Sequence, residues 1–428
     1  YAGGLVFQQV FGIKELWGID FFWIAAIGLV VLTALYTIFG GMKSVLYTSV
    51  LQTPILLLGS LIILVLGFKE LGGWDEMMRV CGAVTVNDYG DTMTNLIRSN
   101  DDANFPWLGA LIGSAIIGFW YWCTDQFIVQ RVLSGKNEME ARRGTIFGAY
   151  LKLLPVFLFL IPGMIAFALH QKYIGAGGEG FLPMLENGTA NADAAFPTLV
   201  AKLLPAGVKG LVVCGILAAL MSSLASLFNS SAMLFTIDFY KRFRPQTSEK
   251  KLVGIGQVAT VVIVILGILW IPIMRSVGDV LYTYLQDVQS VLAPGIAAAF
   301  LLGICWKRTS AQGGMWGLIS GMVIGLTRLG AKVYYSNAGE VADSTFKYLF
   351  YDMNWLFFCG WMFLFCIIVV IVVSLATEAP TAEKIQGLVF GTATKEQKAS
   401  TRASWNHWDI IHTVIILAIT GAFYWYFW

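Results

Sequence analysis

The sequence is poor in the residues that carry catalysis, metal binding and cross-linking. Only 13% of its 428 residues are charged, and it has three histidines and six cysteines, whereas a soluble domain carries roughly 25% charged residues. His170, His407 and His412 lack metal-ligand spacing, and only Cys81 lies in a predicted outer loop, which excludes an external disulfide framework. Because it also lacks a phosphate-binding glycine loop and a nucleophile elbow, we predict that the chain is not an enzyme.

Long apolar segments dominate the chain instead. Hydrophobic residues make up 57% of it, and about 20 consecutive apolar residues are enough to cross a bilayer. We therefore predict an all-α polytopic membrane protein with about ten full spans and one partial helix at residues 1–13. Because the chain starts at Tyr1 without a signal-peptide pattern, we expect it to be a fragment whose beginning is missing. The predicted spans are residues 20–40, 45–68, 107–129, 144–170, 207–240, 251–274, 277–303, 311–334, 353–376 and 407–428.

The distribution of basic residues predicts the orientation of the chain. If the loop at residues 130–143 is cytoplasmic, 16 of the 28 Lys and Arg residues lie in inner loops, as the positive-inside tendency requires. Trp428 and the two long loops at residues 69–106 and 171–206 then face outward, with a short interfacial helix at residues 194–204. The net charge of +2 gives no reason to expect a nucleic-acid partner.

A stripe of small and hydroxyl residues lies within the span at residues 207–240. Ala219, Ser222 and Ser223 have the i, i+3, i+4 spacing of one helix face, and Ser226 and Ser230 extend that face. Small residues let membrane helices approach closely, while hydroxyl and carbonyl oxygens suit a small, hard cation. From the stripe alone, helix packing is the simpler interpretation and an ion site is the alternative.

A lysine and an aromatic run also lie inside predicted spans. Lys152 lies about 12 Å into its helix, just before Pro155, which should bend the helix. A lysine at that depth is a functional candidate unless it snorkels to the inner surface. Tyr121 and Trp122 belong to a run that could stack on the C–H face of a sugar, although filling the core is the simpler role.

Polar residues and a Pro-Gly pair interrupt the span at residues 277–303. Gln286 and Asp287 precede Pro294 and Gly295, a pattern that predicts a helix broken near the membrane midplane. Broken helices commonly line the binding site of secondary transporters, so both side chains would face a cavity. The alternative is a patch of hydrogen bonds to a neighbouring helix.

Four motifs, taken in chain order, resemble the solute:sodium symporter family and, within it, the sodium/glucose cotransporters. The similarity extends from Tyr1 to about Gly325, and beyond Asn354 it is mainly one of hydropathy. The ordered combination is specific, although any one motif would be weak. The motifs are the Gly-Gly signature at Tyr36–Ser44, the sugar-branch segments Tyr121–Arg131 and Tyr150–Leu153, and the second signature at Trp306–Gly317.

The resemblance implies a 14-helix protein with a five-plus-five inverted-repeat fold, similar to that of amino acid/sodium symporters. Residues 1–68 would be the remainder of the first repeat, and residues 69–106 an extracellular loop. Residues 107–303 would be the complete second repeat of five spans, and residues 304–428 three peripheral C-terminal spans.

The resemblance also implies a site. Sodium would bind the carbonyl of Ala219 and the hydroxyls of Ser222 and Ser223, with partners from the missing helices. A sugar would be held by Lys152 and Gln286. Tyr121 would close the inner side with its ring stacked under the sugar, beside Trp122.

Three positions depart from the pattern of the relatives. Relatives that bind a second sodium have an aspartate at the position of Ser49 and a threonine at that of Ala225, so we expect one sodium per sugar. Gly118 stands where relatives often place a polar side chain against the sugar.

The function implied is sodium-coupled import of a glucose- or galactose-like sugar by alternating access, in the plasma membrane. The expected partners are the sugar, co-transported sodium and the lipid bilayer; the sequence does not predict an oligomeric state. The alternatives are a symporter for myo-inositol or another small organic solute, and a sugar-gated sensor or channel on the same fold.

Overall fold

The computed structural model describes residues 1–185, 188–277, 281–337 and 342–428, with side chains for all of these except residues 39–45, 48, 51, 273–277, 281 and 337. The described residues form helices and a short antiparallel hairpin of β1 (Glu15–Leu16) and β2 (Ile19–Asp20). The helices are α1 Ala2–Phe11, α2 Phe21–Leu71, α3 Trp74–Gly82, α4 Trp107–Cys123, α5 Gln126–Leu133, α6 Glu138–Pro155, α7 Ile161–Gly175, α8 Ala195–Leu203, α9 Ala206–Met233, α10 Lys241–Phe243, α11 Glu249–Val277, α12 Leu281–Cys305, α13 Ala311–Asn337, α14 Thr345–Lys347, α15 Trp355–Ala376, α16 Ala382–Ile385, α17 Lys395–Ala403 and α18 His407–Tyr426.

The apolar helices confirm a polytopic membrane protein. Within the described ranges, eight helical segments are long and apolar enough to cross a membrane, and α4 with α5 makes a ninth if the bent pair is one span. These segments match nine of the predicted spans, although residues 278–280 of the span at 277–303 lie outside the described ranges. The remaining prediction, residues 311–334, is helix α13, but it is less apolar than the others because of its glycines and its basic residues Arg328 and Lys332.

Two predicted spans, residues 20–40 and 45–68, belong to the single helix α2. The inner loop expected between them is helical, since a glycine pair weakens a helix without ending it. Tyr36 donates a hydrogen bond to the Met221 carbonyl (2.7 Å), and Ser49 bonds to Ser222, the next residue of α9 (2.5 Å). Two separate stretches of α2, Phe21–Ile38 and Gln52–Leu71, are each long and apolar enough to cross a membrane.

Proline affects two other helices differently. A π-helical turn, Val156–Leu160, follows Pro155 and joins α6 to α7, so the predicted irregularity is present. The predicted break at Pro294 is wrong, because α12 is continuous from Leu281 to Cys305. A Cβ built on Gly295 would lie 3.3 Å from Gly321 Cα, so α12 and α13 pack backbone against backbone there, and this packing holds the helix through the lost hydrogen bond.

The chain divides into two compact units. Unit 1 consists of residues 1–84, 92–94 and 151–276, and unit 2 of residues 85–91, 95–150 and 277–428. The core of unit 1 includes Ile165, Leu169 and Leu199; unit 2 has a core cluster with Ile117 and Leu356. The four-part division expected from the sequence stays a prediction.

A short helix is present where the sequence predicts one, and its position at the membrane interface stays a prediction. The segment expected at residues 194–204 is α8.

In unit 2, Asp102 accepts hydrogen bonds from the backbone N–H groups of Asn104 (2.9 Å) and Phe105 (2.7 Å). Burial alone would raise the pKa of Asp102, but these bonds, a further bond from Asn87 and the charge of Arg98 lower it below the usual value.

Candidate functional site

The serine stripe of α9 lies against α2 in unit 1. Ser222, Ser226 and Ser230 are buried, each four residues from the next, and they share the helix face that also contains Ala219. Ser230 donates to the carbonyl of Leu227 in its own helix (3.0 Å). The stripe is therefore a buried polar surface at the contact between α9 and α2.

Ser222 and Ser223 differ in their surroundings. Ser222 is 7% exposed, and its Oγ lies 2.5 Å from Ser49 Oγ on α2. Ser223 is exposed. Ser222 can therefore serve both packing and ion binding, whereas the hydroxyl of Ser223 lies outside the α2–α9 contact.

Lys152 lies at the end of α6, three residues before Pro155 and the π-helical turn that follows. Its side chain is exposed. It belongs to unit 1, as do Ala219, Ser222 and Ser223.

The aromatic run of unit 2 ends where the helix bends. Asp125 caps α5 by accepting from the backbone N–H of Phe127 (3.1 Å), which starts a new helix at an angle of 47° to α4. Tyr121 packs edge-on against Trp122 at 5.2 Å, and Trp122 is 50% exposed. A Cβ on Gly118, one turn before Tyr121, would meet no atom of the described residues within 4 Å.

Gln286 and Asp287 have separate roles in the described structure. Gln286 donates to the hydroxyl of Tyr282, one turn earlier in α12 (3.3 Å). The expectation that Asp287 faces a cavity is wrong: its carboxylate forms an ion pair with Lys332 and lies 3.6 Å from Arg328, both on α13. The alternative interpretation, polar contact between helices, applies to Asp287.

The sequence reasoning missed Arg328, the partner of Asp287. Its side chain is 1% exposed; it donates to the Met353 carbonyl (2.8 Å) and lies 4.0 Å above the ring of Phe358 on α15. This group of Asp287, Arg328 and Lys332, the charge cluster, joins α12, α13 and α15. Arg328 and Lys332 have i, i+4 spacing within a predicted span, and that spacing was the signal available in the sequence.

The predicted site residues fall into both units. Ala219, Ser222, Ser223 and Lys152 belong to unit 1, and Tyr121, Trp122 and Gln286 to unit 2. Within unit 1 the structure brings Ser222 to Ser49; within unit 2 it brings Tyr121 to Trp122. The predicted ligation of sodium and binding of sugar stay predictions. The side chains of residues 39–44 in the Gly-Gly signature lie outside those described.

Comparison with known proteins identifies relatives of the whole chain. The model of the sodium:solute symporter family matches residues 1–321. The human sodium/myo-inositol cotransporter 2 is 36% identical over 403 residues, covering 92% of this chain and 59% of that protein. The bovine sodium/mannose cotransporter is 35% identical over 454 residues, covering 100% of the chain and 74% of that protein. The mouse sodium/glucose cotransporter 4 is 35% identical over 403 residues, covering 92% and 58%.

A solved structure shows the fold. A Na+-coupled sialic acid symporter in a substrate-bound, outward-open state superposes with a TM-score of 0.65 at 20% identity, covering 89% of this chain and 72% of that one. The likeness confirms the predicted inverted-repeat symporter fold. The chain spans 59% of the length of the human relative.

Proposed function

The chain belongs to the sodium:solute symporter family, and from that membership we propose that it is part of a sodium-coupled symporter that imports a sugar. The observation that carries the proposal is the oxygen-rich stripe of α9, in which Ser222 is buried against Ser49. Hydroxyl and carbonyl oxygens are the ligands that a small, hard cation prefers. We assign sodium to the Ala219 carbonyl and to the hydroxyls of Ser222 and Ser223. The protein acts as a transporter rather than an enzyme, in the plasma membrane with its C-terminus outside.

The solute site that we propose consists of Lys152, Gln286, Tyr121 and Trp122. Lys152 and Gln286 donate hydrogen bonds to solute hydroxyls, and the Tyr121 ring stacks on a C–H face. The named relatives are cotransporters for myo-inositol, mannose and glucose. All three compounds are small polyols built on a six-membered ring, and they differ in the stereochemistry of their hydroxyls. A glucose- or galactose-like sugar is our first candidate and myo-inositol the second.

The mechanism is alternating access. Sodium binds first and favours the outward-open state, and the solute then closes the outer gate. Sodium leaves inward when the helix of Ser222 and Ser223 separates from its partner helix, and Tyr121 moves aside to release the solute. Each ligand shifts the equilibrium between the states by its differential affinity for them. The membrane potential supplies about 2.3 kcal/mol per charge per 100 mV.

We expect one sodium to move with each solute. Ser49 cannot supply the negative charge of an aspartate, and Ala225 has no hydroxyl, so a second cation would be desolvated without compensation.

The test of the proposed function is uptake of a panel of sugars, myo-inositol and non-polyols by vesicles carrying the full-length protein. Reversal potentials measured on the same protein give the number of sodium ions moved with each solute. A ratio near two contradicts the stoichiometry, and solute-evoked current without uptake favours the sensor or channel alternative.

Lys152→Ala and Gln286→Ala should each weaken solute affinity while sodium binding survives. Each variant loses a hydrogen bond to a buried ligand, worth about 0.5–1.5 kcal/mol and up to about 3 kcal/mol when the donor is charged. The measurement is the solute KM at saturating sodium, alongside the sodium half-saturation. Lys172→Ala, a control outside the proposed site whose ammonium bonds to the Leu71 carbonyl (3.1 Å), should leave solute KM unchanged. Parallel loss of sodium binding in both site variants argues against separate sites.

A further inference from the structure

Gln52 is a polar residue of α2 whose side-chain oxygen neither packing nor the proposed site explains. Its Oε1 is buried and has no hydrogen-bond partner among the residues that the structure describes. Leaving a buried polar atom unpaired is costly, and in a membrane there is no bulk water to compensate. A residue that retains such an oxygen needs a reason for it.

Contacts between α2 and α9 fix the position of Gln52. Ser49 meets Ser222; a Cβ on Gly215 would lie 3.1 Å from Ile55 Cγ2 and 3.4 Å from Leu56 N; and a Cβ on Gly59 would lie 2.7 Å from Val212 Cγ2. The second half of α2 is thus antiparallel to α9. Gln52 lies between Ser49 and these later contacts, and the antiparallel register places it opposite Ala219.

We propose that Gln52 is a sodium ligand, and this inference rests on the proposed function. Oε1 of Gln52 and Oγ of Ser49 would join the Ala219 carbonyl and the hydroxyls of Ser222 and Ser223, giving five oxygens from two helices. Each of the five is neutral. Sites for Mg²⁺ and Ca²⁺ are built with carboxylates, whereas these oxygens fit a single monovalent cation.

The geometry also gives sodium a structural effect. In the described structure Ser222 and Ser49 bond to each other, and both hydroxyls can rotate to present lone pairs to a cation. A sodium ion held by Gln52, Ser49 and Ser222 ties α2 to α9. Sodium binding therefore stabilises the contact between these two helices. On α9, the two ligands Ala219 and Ser222 lie about one helical turn apart.

The experiment is a sodium titration of solute uptake by the full-length protein, together with sodium-dependent thermal stabilisation of the purified protein. Loss of a residue that only hydrogen-bonds to a metal ligand typically lowers metal affinity 10- to 100-fold. Because Gln52 would bind the ion directly, Gln52→Leu should raise the sodium half-saturation about 10-fold or more. Gln52→Asn, which keeps the amide but retracts it, should give an intermediate increase. Solute KM at saturating sodium should change little.

Ser60→Ala is the matched control. Ser60 lies on the same helix, and within the described part of the chain its hydroxyl is also buried without a hydrogen-bond partner, but it is eight residues, or about 12 Å, from Gln52. Its removal should leave the sodium half-saturation unchanged. An equal shift in Ser60→Ala and Gln52→Leu would overturn the proposal, because both effects would then reflect packing.

Gln52→Glu should make sodium binding depend on pH. A carboxyl group buried opposite Ala219 is neutral without a cation and must lose its proton to bind sodium, so the half-saturation should fall as pH rises, unlike that of wild type. An unchanged half-saturation in Gln52→Leu, or no added pH dependence in Gln52→Glu, contradicts the inference while sodium-coupled uptake by wild type stands. Absence of sodium dependence in wild type overturns the proposed function itself.

Discussion

Asp287→Asn should destabilise the protein by about 3–5 kcal/mol, because it leaves two cations without their counter-charge. Arg328 is 1% exposed and Lys332 is 28% exposed at the side chain, so neither is fully solvated. The asparagine cannot balance either charge, although it can still accept a hydrogen bond. The measurement is thermal unfolding of the purified protein in detergent, with surface expression as a second readout.

Two variants separate the buried charge from charge in general. Asp343→Asn breaks a pair with Lys347 (2.9 Å) in which Asp343 is 96% exposed, and surface pairs contribute little, so its stability should remain close to that of wild type. Replacing Asp287 by Leu together with Arg328→Met and Lys332→Met removes every charge of the cluster and should recover most of the lost stability. If Asp287→Asn and Asp343→Asn behave alike, the charge cluster does not stabilise the fold.

Hydropathy was enough to predict most of the architecture. Each predicted span falls mainly on helical residues of the described ranges, although the spans at residues 20–40 and 45–68 share α2, and the short helix expected at residues 194–204 is α8. These elements follow from local composition, since an apolar segment of sufficient length has to satisfy its backbone within a helix. One error came from a tertiary contact, the approach of Gly295 to Gly321, which holds α12 together through Pro294. The other came from reading a glycine pair as a loop, whereas it weakens the helix α2 without ending it.

The candidate site was less predictable because its contacts join distant positions. The Ser49–Ser222 bond spans 173 residues and the Asp287–Lys332 pair spans 45, so no local window contains both partners. The stripe at Ala219 and Ser222 was visible as a helix face, yet periodicity could not reveal that Ser49 lies opposite it. The family resemblance supplied the roles of Lys152, Gln286 and Tyr121, which residue chemistry alone had left open.

Ser223→Ala should raise the sodium half-saturation about 10- to 100-fold, because a hydroxyl that binds a charged group contributes about 1.5–3 kcal/mol. Among the described residues Ser223 is exposed, so the contact between α9 and α2 explains no such effect, and the loss of a hydroxyl outside that contact should change stability by less than about 0.5 kcal/mol. Ser222→Ala should weaken sodium dependence as sharply, but it also removes the bond to Ser49. Ser223 is therefore the cleaner test of the ion site.

Ser230→Ala serves as the control for both variants. Ser230 is 3% exposed, lies on the same helix face and bonds to its own backbone at Leu227, so its hydroxyl is not needed by a cation near Ala219. The measurement is sodium-dependent uptake at fixed solute, with unfolding temperature recorded for each variant. Sodium half-saturation that stays at the wild-type value in both Ser222→Ala and Ser223→Ala would assign the stripe to helix packing alone, because packing tolerates alanine whereas a desolvated cation does not tolerate the loss of a ligand.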